Sequence, residues 1–130
     1  MTDLHVPVSP GELLDKITIL RIKSQRMHEA AKVANVRLEL ELLQRTWATL
    51  GSSTLQVAAD ERALQAVNEQ LWDIEDRLRN KEAARSFDQE FIELARAVYR
   101  HNDERAAIKK RVNIALGSRI VEEKSYQPYA

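Results

Sequence analysis

The chain has 130 residues, of which 44% are hydrophobic, 31% charged and 5% aromatic, the composition of a folded globular domain. Twenty basic and twenty acidic residues cancel, so the net charge gives no reason to expect a nucleic-acid partner. Cysteine is absent, which excludes disulfides and is compatible with the cytoplasm, where we expect the protein. No run of apolar residues is long enough for a bilayer, and we expect no membrane insertion.

The first predicted helix follows an N-terminal arm, residues 1–8. Ser9 suits the N-cap, Pro10 suits the first helical position, and Glu12 completes an S-x-x-E capping box. Apolar side chains lie on nearly all sides of this helix: Leu13, Leu14, Ile17, Ile19, Leu20, Ile22 and Met27. Helices of this kind are usually central in a bundle or an oligomer, so we expect helix 1 to be the most buried element.

Two apolar stripes at helical spacing predict helices 2 and 3. Helix 2 begins near Asn35, where the period resets, and ends at Gly51, which suits a left-handed C-cap. Residues 51–54 form a predicted loop, and helix 3 begins near Asp60. The two stripes are Val36, Leu40, Leu43, Trp47 and Leu50 in helix 2, and Leu64, Val67, Leu71, Ile74 and Leu78 in helix 3.

The fourth predicted helix, from Ser86 to Gly117, carries an apolar stripe that is interrupted in its middle. The stripe consists of Phe87, Phe91, Leu94, Val98, Val112 and Leu116. Between its two halves the same face presents Asn102, Arg105 and Lys109, with Arg105 within roughly 10° of the stripe's centre. Because an unpaired buried charge is costly, the guanidinium must meet a carboxylate, a ligand or water.

These elements predict an all-α fold in one domain, an antiparallel bundle of about four helices in two helical hairpins with a C-terminal tail, residues 118–130. We expect the tail to dock on the bundle, because burial of its apolar and aromatic side chains is favourable. It would then close a groove with three charged residues at the rim: Glu122, Glu123 and Lys124. If the tail is free instead, it is a short docking peptide for a partner. Unequal helix lengths and the apolar surface of helix 1 predict a homodimer with helix 1 or helix 4 at the interface.

Six residues are candidates for ligand binding: Asn68, Trp72, Glu75, Asn102, Arg105 and Lys109. In the functional interpretation, Arg105 clamps an anion or a sugar phosphate and Trp72 stacks on a sugar or a nucleobase. In the structural interpretation, Trp72 covers a gap or an oligomer contact, and Arg105 pairs with a carboxylate of the bundle. The available carboxylates are Asp15, Glu75 and Asp76. Polar residues in a helical seam often set register without binding anything, which favours the structural interpretation.

No nucleophile, metal or cofactor constellation is found in the sequence. The three histidines are far apart, and zincin motifs, nucleophile elbows, Walker loops and dinucleotide-binding glycine patterns are absent. The leading hypothesis is therefore a non-enzymatic interaction or scaffold module without a metal or cofactor. One rival is a small helical enzyme in which Arg21 and Glu75 join the cluster of helix 4 around a dianion. The other is a binder of an anionic small molecule, such as a phosphosugar or a dicarboxylate.

Four blocks of the chain resemble a family of short bacterial proteins of unknown function. They are residues 7–20 (PVSPGELLDKITIL), residues 66–76 (AVNEQLWDIED), residues 99–105, and residues 117–118 with 122–126. The resemblance implies an all-helical domain that occurs alone, or joined to or near glycosyltransferase-type and surface-polysaccharide proteins. A glycosyltransferase is accordingly the implied protein partner, with a role in surface-glycan biosynthesis. The resemblance brings no catalytic residues with it.

Overall fold

The computed structural model describes residues 2–129, and these form four α-helices and one 3₁₀ helix without a strand. The helices are α1 (Pro10–Arg26), α2 (Ala30–Ala48), the 3₁₀ helix (Gly51–Val57), α3 (Ala58–Ala83) and α4 (Gln89–Ala115). The prediction of an all-α bundle is confirmed.

α1 lies at the centre of the bundle and contacts each of the other three α-helices. The short connection after Arg26 turns α2 back along α1, and α3 and α4 pair as a second hairpin. α4 runs antiparallel to α1, since Gly11 lies against Asn113 and Asp15 lies near Arg105. Within the described residues, the backbone of α2 approaches α1 and the 3₁₀ helix but neither α3 nor α4.

The hydrophobic core forms where α1 meets the other elements. Its buried members are Leu13, Leu14, Ile17, Trp47, Val57, Leu64, Val67, Ile108 and Val112. Eight of the 17 residues of α1 are buried, whereas α2 buries two of its 19, Val36 and Trp47. The prediction that helix 1 is the most buried element is confirmed. Its cover comes from helices of the same chain.

The predicted start of helix 2 and the predicted loop after it are wrong. α2 begins at Ala30, more than a turn before Asn35. The non-helical connection after α1 is only residues 27–29, and the alanines that follow it favour a helix. Residues 51–54 belong to the 3₁₀ helix rather than to a loop. Gly51 does adopt the left-handed conformation expected of it, with φ of +59°. α3 begins at Ala58, close to the expected Asp60.

α4 begins at Gln89 instead of Ser86, because the carboxylate of Asp88 accepts the N–H of Phe91 at 3.0 Å and acts as the N-cap. Phe87 therefore lies before the helix, is 58% exposed and does not belong to the apolar stripe. The expected stop at Gly117 is confirmed, since its φ of +66° ends the helix in the left-handed region.

Candidate functional site

Five charged side chains join the first turns of α1 to the middle of α4 and to the tail. We call them the ionic cluster: Glu12, Asp15, Arg105, Lys109 and Glu122. The Nζ atom of Lys109 lies 2.5 Å from Glu12, 3.2 Å from Glu122 and 4.0 Å from Asp15. Arg105 Nε lies 3.9 Å from Asp15 Oδ1. Of the three carboxylates that the sequence offered to Arg105, the structure places Asp15 beside it.

Asp15 is the buried centre of this arrangement, with a side chain that is 5% exposed. The amide of Asn68 donates to Asp15 Oδ1 at 2.9 Å and to Thr18 Oγ1 at 2.9 Å, and the Thr18 hydroxyl donates to the Asp15 backbone carbonyl at 2.8 Å. A buried carboxylate is tolerated when donors and cations surround it, and here they do. Asn68 therefore links α3 to α1.

A glycine contact brings α1 and α4 close enough for the cluster to form. The N–H of Gly11 donates to Asn113 Oδ1 at 2.7 Å. A Cβ atom at Gly11 would lie only 2.5 Å from the backbone oxygen of Lys109. Gly11 and Asn113 were not among the site residues predicted from the sequence. A glycine inside the first turn of a strongly apolar helix was the available signal, because such a residue often marks close packing.

The start of α1 is tied to the tail through its N-cap. Ser9 Oγ accepts the N–H of Glu12 at 3.2 Å and donates to Glu122 Oε1 at 3.1 Å. The predicted N-cap is confirmed, but the predicted capping box is wrong. The carboxylate of Glu12 accepts from Lys109 rather than turning back to Ser9, because the nearby ammonium is the stronger donor.

The cluster favours the charged forms of Glu12 and Lys109. Burial would raise the pKa of Glu12, but the hydrogen bond and charge of Lys109 outweigh it and lower that pKa below its ordinary value of 4.5. Burial would likewise lower the pKa of Lys109. The hydrogen bond and charge of Glu12, together with the charge of Asp15, instead raise that pKa above its ordinary value of 10.5. Each group thus stabilises the other's charge.

The tail folds back along α4. Besides the hydrogen bond from Ser9, its contacts include Glu122 with Lys109 at 3.2 Å, Lys124 with Asp103 at 3.1 Å, and the ring of Tyr129 edge-on to Tyr99 with centroids 4.8 Å apart. Docking of the tail is confirmed, but the expected apolar burial is only part of its cause. Ile120 is half-buried, but Val121, Tyr126 and Tyr129 remain 52%, 82% and 56% exposed, so the tail buries less apolar area than expected and polar contacts help to hold it.

Between α4 and the docked tail lies a groove of about 510 Å³, which we call the tail groove. The predicted site residues Asn102, Arg105 and Lys109 line it. The three charged residues expected at its rim, Glu122, Glu123 and Lys124, line it as well. Arg105 is half-buried there, with a side chain that is 32% exposed.

Trp72 and Glu75 lie apart from this groove. The guanidinium of Arg26 is 6.0 Å from the centroid of the Trp72 ring. Glu75 pairs with Arg79 at 3.6 Å and lines a separate, shallower groove on the α3–α4 hairpin. Arg21 pairs with Glu61 at 2.7 Å. The predicted grouping of Arg21 and Glu75 around a dianion is therefore not assembled.

Across residues 2–129, no group of three His, Asp or Glu side chains is placed to hold a metal ion. None of the helices in this part of the chain combines the length and apolar content that a bilayer crossing requires.

Comparison with known proteins places the chain without assigning it an activity. The model of DUF6165, described as a family of unknown function, matches residues 4–129. No curated protein and no solved structure matches the chain. The match spans all four α-helices and the docked tail, so the ionic cluster lies wholly within it. The chain belongs to this family of unknown function.

Proposed function

We propose that the protein is a non-catalytic helical interaction module that forms a homodimer through the outer face of α2. The observation that carries the proposal is the exposure of Leu38 and Leu42, which are 61% and 40% exposed one turn apart. At 100° per residue, Leu38 lies about 180° round the helix from the buried Trp47. An exposed apolar stripe opposite the packed face is typical of a partner-binding surface.

The shape of this stripe supports a second copy as the partner. Exposed alanines, Ala31 and Ala34, precede the two leucines along the same face of α2. If two α2 helices cross antiparallel at Leu38, the Leu42 side chain of each copy packs over Ala34 of the other. A twofold dimer requires such self-complementarity.

The surroundings of α1 and of the ionic cluster also favour this proposal. The dimer hypothesis from the sequence used helix 1 or helix 4, but α1 is already covered by its own chain, and we therefore propose α2 instead. Within the cluster, Lys109 is matched by Glu12 and Glu122 of the same chain. An ammonium paired in this way with carboxylates of its own chain favours a structural role over a catalytic one.

Light scattering after size-exclusion chromatography tests the proposal. We expect the wild-type chain at micromolar concentration to have twice its monomer mass of 14.9 kDa. The double variant Leu38→Glu, Leu42→Glu should have the monomer mass and unchanged helical circular dichroism, because two carboxylates cannot be buried unpaired. Leu55→Glu is the matched control, since Leu55 is 76% exposed on the 3₁₀ helix, outside the stripe. A monomeric wild type, or equal dissociation in the control, would contradict the proposed interface.

We further propose a cytoplasmic glycosyltransferase of surface-glycan assembly as the larger partner of this module. The support is the resemblance of the chain to domains joined to or near such enzymes, together with a cysteine-free composition that suits the cytoplasm. Co-expression with a glycosyltransferase encoded beside this chain tests it. The two should elute together on sizing chromatography, and separate elution at micromolar concentration would reject this partner.

A further inference from the structure

We infer that the tail groove binds a monosaccharide that carries one acidic group, either a phosphate or a carboxylate. The inference is independent of the proposed dimer, because α2 does not line the groove. The groove volume of about 510 Å³ falls within the range of small-molecule sites. One of its walls is the docked tail.

Four cations line the groove, and they differ in their freedom to bind an anion: Arg105, Lys109, Lys110 and Lys124. Lys124 pairs with Asp103 at 3.1 Å, and Lys110 is exposed to solvent. Lys109 is occupied, since it contacts Glu12 at 2.5 Å and Glu122 at 3.2 Å. Arg105 approaches Asp15 through Nε at 3.9 Å, and no hydrogen bond holds it within residues 2–129. A guanidinium carries five N–H donors in a planar fork that matches phosphate and carboxylate oxygens. Arg105, which is half-buried and has no short ion pair, is therefore the cation best placed to bind the anion.

The rest of the lining limits how much negative charge the ligand can carry. Asp103, Glu122 and Glu123 line the groove and offset three of its four cations, so the lining suits one acidic group better than a polyanion such as a nucleic acid or a diphosphate. These carboxylates and the amide of Asn102 are instead suitable partners for hydroxyl groups. A ligand with a single acidic group and several hydroxyls fits both properties.

Aromatic rings complete the site. Tyr99 and Tyr126 line the groove, and the Tyr126 ring is 82% exposed, so one of its faces is available for stacking. The C–H face of a sugar ring packs well on an aromatic side chain, while its hydroxyls remain free for polar partners. A hydroxylated ring therefore uses the groove better than a simple anion does.

Two-dimensional ¹H–¹⁵N NMR titration of the full chain tests the inference with glucose 1-phosphate and glucuronate as the two acidic probes. We expect at least one of them to shift amides of residues 98–110 and 118–126 with saturation. Its Kd should be about tenfold lower than those of glucose and inorganic phosphate. Glucose lacks the acidic group that Arg105 would bind, and inorganic phosphate lacks the hydroxylated ring. Which probe binds more tightly decides between a phosphate and a carboxylate ligand.

Three variants separate ligand binding from a structural role. Arg105→Gln should raise the Kd about tenfold, and Tyr126→Ala, on an exposed tail ring, should raise it severalfold without affecting folding. Arg111→Gln is the matched control, because Arg111 pairs with Asp60 away from the groove and should leave the Kd unchanged. Inorganic phosphate binding as tightly as the acidic sugars would overturn the inference. So would the absence of saturable shifts, or a wild-type Kd in both groove variants.

Discussion

α1 and α2 are neighbouring helices of similar length, 17 and 19 residues, but they have opposite surroundings. α1 is enclosed by three helices, to the point that a glycine is needed where it meets α4. α2 rests on α1 with one face and exposes leucines on the other. Within one chain, the free energy of folding is therefore concentrated around α1, while the outer side of α2 remains available for association.

The largest expected effect is at the closest contact of α1. Gly11→Ala should lower the free energy of unfolding by about 3 kcal/mol, because the new methyl group meets the backbone oxygen of Lys109 at 2.5 Å and Asn113 Oδ1 at 2.8 Å. Urea denaturation followed by circular dichroism measures the change.

Gly51→Ala, just after α2, is the control for the same added methyl group. It meets nothing within 4 Å and should cost about 1 kcal/mol, from its φ of +59° alone. Equal losses at Gly11 and Gly51 would show that α1 is not the more tightly packed helix.

A carboxylate on each helix gives the second test. Asp15→Asn on α1 should destabilise the protein by about 2 kcal/mol, since Arg105 loses its carboxylate and Lys109 keeps only Glu12 and Glu122. The loss stays below that of a tight buried pair, because Arg105 and Lys109 lie 3.9 and 4.0 Å away and Arg105 is partly solvated. Glu41→Gln on α2 removes an exposed pair with Arg45 and should cost less than about 0.5 kcal/mol. Similar thermal shifts for both variants would contradict the contrast.

Part of the pH dependence of stability should come from the ionic cluster at the start of α1. The pKa of Glu12 is lowered on folding. Its contribution to the free energy of unfolding is therefore complete above the ordinary pKa of 4.5 and is lost as the pH falls through the pKa in the folded protein. The pKa of Lys109 is raised on folding. Its contribution to the free energy of unfolding is therefore complete below pH 10.5 and is lost as the pH rises through the pKa in the folded protein. Both groups are partly solvated, so each contribution is at most about 1 kcal/mol.

Glu12→Gln isolates the acid limb of this dependence. The difference between the melting temperatures of the wild type and the variant should shrink as the pH falls from about 6 to 3, because the wild type then loses the interaction that the variant lacks. If the difference in melting temperature stays constant over this range, Glu12 does not cause the loss of stability at acid pH.

The sequence predicted the helices well because their signals are local. Ser9 at a helix start and Gly117 at a helix end act through their own turn, and the apolar periods act within one helix. The start of α2 was missed because Asn35 is a suitable capping residue that the tertiary context leaves inside a helix. Local signals alone could not distinguish Asn35 at a helix start from Asn35 inside a helix.

The candidate site was harder to predict because it depends on how helices cross. Three carboxylates suited Arg105 equally well in sequence, and the choice of Asp15 follows from the close approach of α1 and α4 at Gly11. Glu122 meets Lys109 only because the tail folds back along α4. Trp72 and Glu75, which shared a helix with Asn68, proved to face other neighbours.

The smallest expected effect is at Leu38 on the outer face of α2. Leu38 is 61% exposed in the single chain, so Leu38→Ala should change the free energy of unfolding of the monomer by less than about 0.5 kcal/mol. A dimer through α2 would make the melting temperature of the wild type rise with protein concentration, because association stabilises the folded state by mass action. The variant should lose that concentration dependence while keeping the melting temperature of the dilute wild type. A large loss of stability at every concentration would mean that α2 contributes to folding much as α1 does, and the contrast between the two helices would fail.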